Sequence, residues 1–317
     1  MARTRLIKPE IGQGVGSGEM YPLMVSLDAD VVQLFDIHSP ASVYFVDVNA
    51  GLDTNDGLSW ATAFKTLATA ITASNAAIAA GAAGWANRNQ IYFKGDNKEA
   101  SKETLTTLAN KCDIIGCGSY DHRPYPVMIG NHVIGAGAYM GCRFINMGFA
   151  SLAAGGAIFT VPTTTSGLAF LNCHFDGRTA TAAAKAIVAT AVEQLTIKGC
   201  RFIGKYSATT IDIGTGSSRA LLIADNLIES GAVGITVHAN ATCVDAIGII
   251  ANNIINAVTL CIDENSDKMA VIGNRGTTAA NSGATTMDYN AALGSDNQFT
   301  SGNGTLAYPA TIFGAQS

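Results

Sequence analysis

The chain has 317 residues, 48% of them hydrophobic and only 14% charged, with a formal net charge of −5. That composition excludes disorder, because a chain stays unfolded through high charge and little apolar mass. The acidic balance (pI ≈ 5.5) argues against nucleic-acid binding, which needs a basic stripe to neutralise phosphates. No uncharged apolar run approaches the roughly 18 residues of a membrane span.

Residues 1–43 stand apart from the rest of the chain. A basic tip (Arg3, Arg5, Lys8) leads into a glycine-rich hinge at 12–18, then two apolar stretches at 20–25 and 31–35. No apolar h-region succeeds the basic tip, so the expectation is synthesis in the cytoplasm without a secretion signal. A segment of this kind cannot bury itself alone and is expected to dock on a neighbouring protein. It reads as an assembly arm whose anchoring residues are Arg3, Arg5, Lys8, Tyr21 and Phe35.

Residues 44–48 read as a strand, 49–59 as a polar loop and 60–80 as a helix with the apolar stripe Phe64, Leu67, Ala68, Ile71 and Ile78. The loop is dense in Asp and Asn, but it lacks the bidentate Glu that closes a calcium loop, so turns and helix capping explain it and no metal is expected. The segments 90–95 and 113–116 read as the first rungs of a repeat, and the helix before them is expected to cover the open end of the stack.

Two periodic sets then run down the chain. In the first, a small polar or thiol residue recurs at Cys142, Cys173, Cys200, Asn226, Asn253 and Asn274, with steps of 31, 27, 26, 27 and 21 residues. In the second, apolar positions recur at Ile158, Ile187, Ile211, Ile235, Leu260 and Met287. A period near 25 made of short strands without helices points to a parallel β-helix, in which like positions of successive rungs form columns. The six Cys and Asn positions are then a structural ladder, since stacked Asn side chains hydrogen-bond along a column and Cys fills the same slot. Seven cysteines, odd in number and without C-x-x-C, read as reduced packing thiols. Gly199 to Lys205 only mimics a phosphate loop, because Tyr206 stands where Ser or Thr is needed and no helix comes after it. The tail 276–317 is rich in Thr, Ala, Asn and Gly, and reads as a C-terminal cap or subunit contact after a β-helix spanning 44–275.

Val46-Asp47 with Gly51, Asp53 and Gly57, then Trp60, Ala63-Phe64, Thr66-Leu67 and Ala70-Ile71, resembles the leading segment of the right-handed parallel β-helix, or pectate-lyase-like, superfamily. The form is that of tailspikes and other tailed-phage virion proteins. The resemblance implies an all-β, right-handed parallel β-helix solenoid of about seven to nine rungs with an N-terminal capping helix and an extended arm. It also implies a homotrimer. Pectin-cleaving members use calcium-holding Asp clusters or Asp pairs with Gly-His-Gly, and none of His38, His122, His132, His174 and His238 lies in such a context.

The expected function is therefore a non-enzymatic structural protein of the virion, a capsid decoration or cement protein or a short tail-attached fibre. It is made in the host cytoplasm, contacts other virion proteins through its arm, and needs no cofactor, membrane or nucleic acid. The alternative is a tailspike-type depolymerase of bacterial surface polysaccharide using Asp176, Asp212 and Glu229, or an adhesin that binds host glycan without turnover. Against the enzyme, no two candidate carboxylates occupy equivalent positions of neighbouring rungs in the repeat alignment.

Overall fold

The computed structural model describes residues 40–80, 88–95, 102–117, 126–177, 183–238, 241–242, 248–257, 259–266, 269–278, 287–289, 298–301 and 306–307. It is a parallel β-solenoid with one α-helix among the described residues. A first sheet stacks nine parallel strands, from Pro40–Asp47, Arg88–Lys94 and Cys112–Gly116 to Met269–Ile272. From Cys112–Gly116 onward the chain makes six turns to reach Met269–Ile272. Each turn adds a strand to a second ladder, such as His174–Asp176, and to a third, such as Lys185–Ala189. In Arg201–Ile213 and Leu227–Val237 the second and third strands fuse into one.

Register makes the columns explicit. Ile91, Ile114, Phe144, Phe170, Ile197, Ile223, Ile250 and Val271 succeed one another down the inner side of the first sheet. Met128, Phe149, Phe175, Phe202, Ile228 and Ile255 do so on the second, and His132, Phe159, Ile187, Ile211, Ile235 and Ile262 on the third. All of these side chains are buried. Like residues stack because they repeat at the strand spacing: Phe144 lies on Phe170 at 5.4 Å between centroids, and Phe175 on Phe202 at 4.9 Å. The third column corrects the sequence register, in which Ile158 and Leu260 stood where Phe159 and Ile262 belong.

The corners are as regular as the strands. Between the first and second sheets the chain turns through a left-handed residue at six successive corners, Asn146, Asn172, Gly199, Asp225, Asn252 and Gly273, with φ between 52° and 65°. Only Gly, and Asn or Asp at modest cost, adopt that conformation readily. At Gly199 a Cβ would also meet Asn172 Oδ1 at 2.4 Å, so the residue has a second reason to lack a side chain.

The N-terminal end departs from expectation in two ways. The first strand starts at Pro40, inside the segment read as arm, and the helix runs Leu67–Ala80 and does not begin at residue 60. The intervening chain pairs with the otherwise open edge of the first strand. Phe45 N donates to Gly57 O (2.7 Å), Asp47 N to Phe64 O (2.9 Å), and Phe64 N to Phe45 O (2.9 Å). An unpaired strand edge is a template for unwanted pairing, and here a loop of the chain itself occupies it. The helix buries Leu67, Ala70, Ile71 and Ser74 and packs on the first two strands. Among the described residues no helix is long and apolar enough to cross a membrane.

At the other end the ladders continue past residue 276. Met287–Tyr289 pairs with Leu260–Glu264, and Gln298–Ser301 with Arg275–Thr278, both parallel. Leu306–Ala307 then turns back antiparallel.

Candidate functional site

The corner after the first sheet holds the most ordered polar array. Cys200 N donates to Asn226 Oδ1 (2.8 Å), Asn226 N to Asn253 Oδ1 (3.1 Å), and Asn253 N to Asn274 Oδ1 (3.0 Å). The side-chain amides continue the chain, Asn226 Nδ2 to Asn253 Oδ1 (2.9 Å) and Asn253 Nδ2 to Asn274 Oδ1 (2.8 Å). Each Nδ2 also reaches a carbonyl of the first sheet: Ile197, Ile223 or Ile250, all at 3.0 Å. Cys173 and Cys200 occupy the same column upstream, their thiols donating to the carbonyls of Phe144 and Phe170 (3.3 Å each). Burial holds the Cys173 thiol well above its ordinary range, so it stays protonated and acts as a donor.

Cys142 does not belong to this column. Its register partner is Cys112, at the start of the first sheet, and burial pushes both thiols up. The place before Cys173 is taken by Met147, whose carbonyl accepts from His174 N as the Cys173 carbonyl accepts from Arg201 N. The cause of the misreading is physical. The chain also turns through left-handed residues as it enters the first sheet, at Lys111, Gly141 and Gly167, so Gly141-Cys142 is a left-handed corner leading to an inward residue just as Gly199-Cys200 is.

The carboxylates proposed for chemistry fall into two outward columns. Asp176 and Glu229 share one on the second sheet, with Ile203 between them. Asp212 and Asp263 share one on the third, with Thr236 between them. As in the alignment from sequence, the two members of each pair do not stand on neighbouring turns. Two strand spacings separate the members of each pair, about 9.6 Å along the stack. Asp212 is buried, ion-paired with Lys185 of the preceding turn and hydrogen-bonded to His238 Nε2 of the next at 3.0 Å. Glu229 pairs with Arg201 at 3.2 Å, and Asp176 is buried.

Two further acids are held in the same way. Buried Asp113 receives Arg88 Nε (2.7 Å) and Arg143 Nη2 (2.5 Å) from the turns on either side. Burial raises its carboxyl, but the two guanidiniums more than offset this and leave it below the ordinary range. Burial likewise raises Asp47, and Lys94 at 2.8 Å together with the amides of Ala50 and Asn49 brings it below. Sequence reasoning missed these partners, although all but Lys94, 47 residues from Asp47, stand about one period from their acid: 27 residues for Lys185, 26 for His238, 25 and 30 for the two arginines. Opposite charges one turn apart are the signal that would have found them.

The anchoring residues Arg3, Arg5, Lys8, Tyr21 and Phe35 lie outside the described residues. No family model matches the sequence, and no curated protein does. Among solved structures, the chain is similar to a GH136 lacto-N-biosidase from Eubacterium ramulus, at a TM-score of 0.33 and 12% identity, over 82% of this chain and 58% of that one. The chain thus spans less than two thirds of that protein, and the fold rests on the strand pairing above, independently of this slight likeness.

Proposed function

We propose that this chain is a non-catalytic structural component of a tailed-phage virion, a decoration or cement protein of the capsid or a short tail-attached fibre. One observation carries the structural half of the reading. Asp47, Asp113, Asp212 and Glu229 all have a cation from a neighbouring turn on them, so their charge is engaged in holding turns together. The resemblance of the leading segment to virion proteins supports the other half. In this reading the arm, through Arg3, Arg5, Lys8, Tyr21 and Phe35, attaches a homotrimer to the particle and the solenoid projects from it. Purified protein is expected to bind particles that lack it, and removal of residues 1–19 to abolish that binding. Undiminished binding by the shortened chain would overturn the anchoring role.

A second reading is favoured by the shared column of Asp176 and Glu229. A separation near 9.6 Å approaches the range of roughly 6.5–9.5 Å found between the acid and base of inverting glycosidases. It predicts new reducing ends when the protein meets host surface polysaccharide, and their loss on Glu229→Gln or Asp176→Asn. Binding without new ends would instead mark an adhesin.

A further inference from the structure

We propose that Cys112 with Cys142, and Cys173 with Cys200, are sites of redox modification, each pair closing to a disulfide that ties one turn of the stack to the next. These sites lie outside the proposed function and hold whether or not it does. Cys112 and Cys142 are direct partners on neighbouring parallel strands of the first sheet. Cys173 and Cys200 stand immediately before the partners His174 and Arg201, so they too are one turn apart in the same place. Their thiols lie within hydrogen-bonding reach of each other, and each donates to the carbonyl of one of two stacked phenylalanines, Phe144 and Phe170. All four side chains point inward, at most 2% exposed. Neighbouring strands are about 4.8 Å apart, inside the ~4.4–6.8 Å between Cα atoms that a disulfide spans, and side chains at partnered positions do not diverge. Other pairings are closed off: the position one turn after Cys142 is Leu168, and the one before Cys261 is Gly234.

The step balances as exchange with a small-molecule disulfide such as oxidised glutathione. One cysteine, as thiolate, attacks the small disulfide and releases one thiol; the second cysteine then attacks the mixed disulfide and releases the other. The two cysteines lose two electrons and two protons, and the reagent gains them as two thiols. Burial sets when this happens. It pushes the Cys112 thiol up to about 12 and holds those of Cys142 and Cys173 above the ordinary range, so the closed stack contains almost no thiolate. Reaction therefore requires the turns to part, and the finished bridge then opposes their parting. The pairs act as latches, silent in a reducing compartment and set by an oxidant when the stack opens.

Mass spectrometry of the full chain in a mixture of reduced and oxidised glutathione tests this, since wrong pairs reopen in such a buffer. Without denaturant, the half-buried Cys117 is expected to take up glutathione first, while the four paired cysteines stay reduced. In urea just below the unfolding midpoint, peptide maps are expected to show Cys112–Cys142 and Cys173–Cys200, each bridge lowering the mass by two hydrogens. The bridged protein is expected to melt several degrees higher and to lose that gain when reduced. Cys200→Asn, which keeps a donor in the column, is expected to leave Cys173 unbridged and the other bridge intact. Should that variant not fold, Cys142→Val removes the Cys112 bridge in the same way. Pairs other than these two, glutathione left on the four cysteines, or all four still reduced in urea would overturn the proposal. So would a melt that reduction does not change.

Discussion

At the scale of single residues, Asn253 shows what a buried polar side chain is worth when every bond is made. It accepts from Asn226 N and Nδ2 and donates to Ile223 O and Asn274 Oδ1, fully enclosed. Asn253→Ala leaves the Asn226 backbone N–H without its acceptor and takes one bond each from Asn226 Nδ2, Ile223 O and Asn274 Oδ1 in a dry corner, at about 1–3 kcal/mol for each group that no water can rescue. Chemical denaturation is expected to show a loss of about 3–5 kcal/mol. Cys200→Asn is expected to cost less than about 1 kcal/mol, because the new amide can donate to the Phe170 carbonyl that the thiol now uses. A larger loss for Cys200→Asn than for Asn253→Ala would mean that the column is not a single hydrogen-bonded series.

His132 is the opposite case, a buried polar group only half satisfied. Its Nδ1 accepts from Leu105 N (3.1 Å), while Nε2 has no partner among the described residues and the ring lies between Phe149 and Phe159. Burial lowers its pKa from 6.5 to about 3. The unfolded chain therefore takes up this proton first, and stability falls as pH drops below about 6.5, by about 1.4 kcal/mol per unit until the folded pKa is reached. His132→Phe packs in the same aromatic setting and removes the titration. Relative to that variant, the wild type is expected to lose about 2 kcal/mol between pH 7 and pH 5 in urea titrations. Parallel pH profiles for the two proteins would refute the assignment.

At the scale of elements, the legibility of each position in the sequence depends on which residues that position tolerates. The Asn column stood out because Asn226, Asn253 and Asn274 interrupt apolar runs at steps of 27 and 21 residues, and the left-handed corner before each admits only a few residue types. Met147 was invisible for the converse reason: an apolar residue in an apolar slot carries no mark. Only the long first step of 31 residues, against 26 from Met147 to Cys173, betrayed the slip. The third column was displaced because Ile158 and Phe159 are both buried at a corner, so alternation cannot say which one points along the column. The helix start was misplaced because pattern alone cannot see a tertiary cap. Leu67 N and Ala68 N donate to the Glu103 carboxylate (2.9 and 2.6 Å), some 36 residues downstream. Burial raises the Glu103 carboxyl, and those two amides draw it partly back. Glu103→Ala is expected to cost about 1–2 kcal/mol and to speed hydrogen exchange in the first helical turn. Unchanged exchange there would show that water replaces the cap without loss.

At the scale of the whole molecule, a stack in which each turn touches only its neighbours has approximately additive stability, and a complete turn can be removed without disturbing the rest. The register identifies the cut. Arg201 is the partner of Leu227, so deleting residues 201–226 joins Cys200 to Leu227 and leaves every column in phase. Ile197 then meets Ile250, Phe175 meets Ile228, and the Cys200 amide finds Asn253 Oδ1 where it had Asn226. The cost is one turn of core and the Lys185–Asp212–His238 cluster, in which Lys185 and His238 lose their shared acid. The shortened protein is expected to be soluble, to keep a β-rich circular dichroism spectrum, and to melt several degrees lower. Deleting only 201–213 removes the same side chains from the second and third sheets but throws the next first-sheet strand out of phase, and is expected to yield aggregate. The two deletions differ only in whether the phase of the stack survives. Equal behaviour, whether both fold or both fail, would mean that stability does not reside in turn-on-turn register.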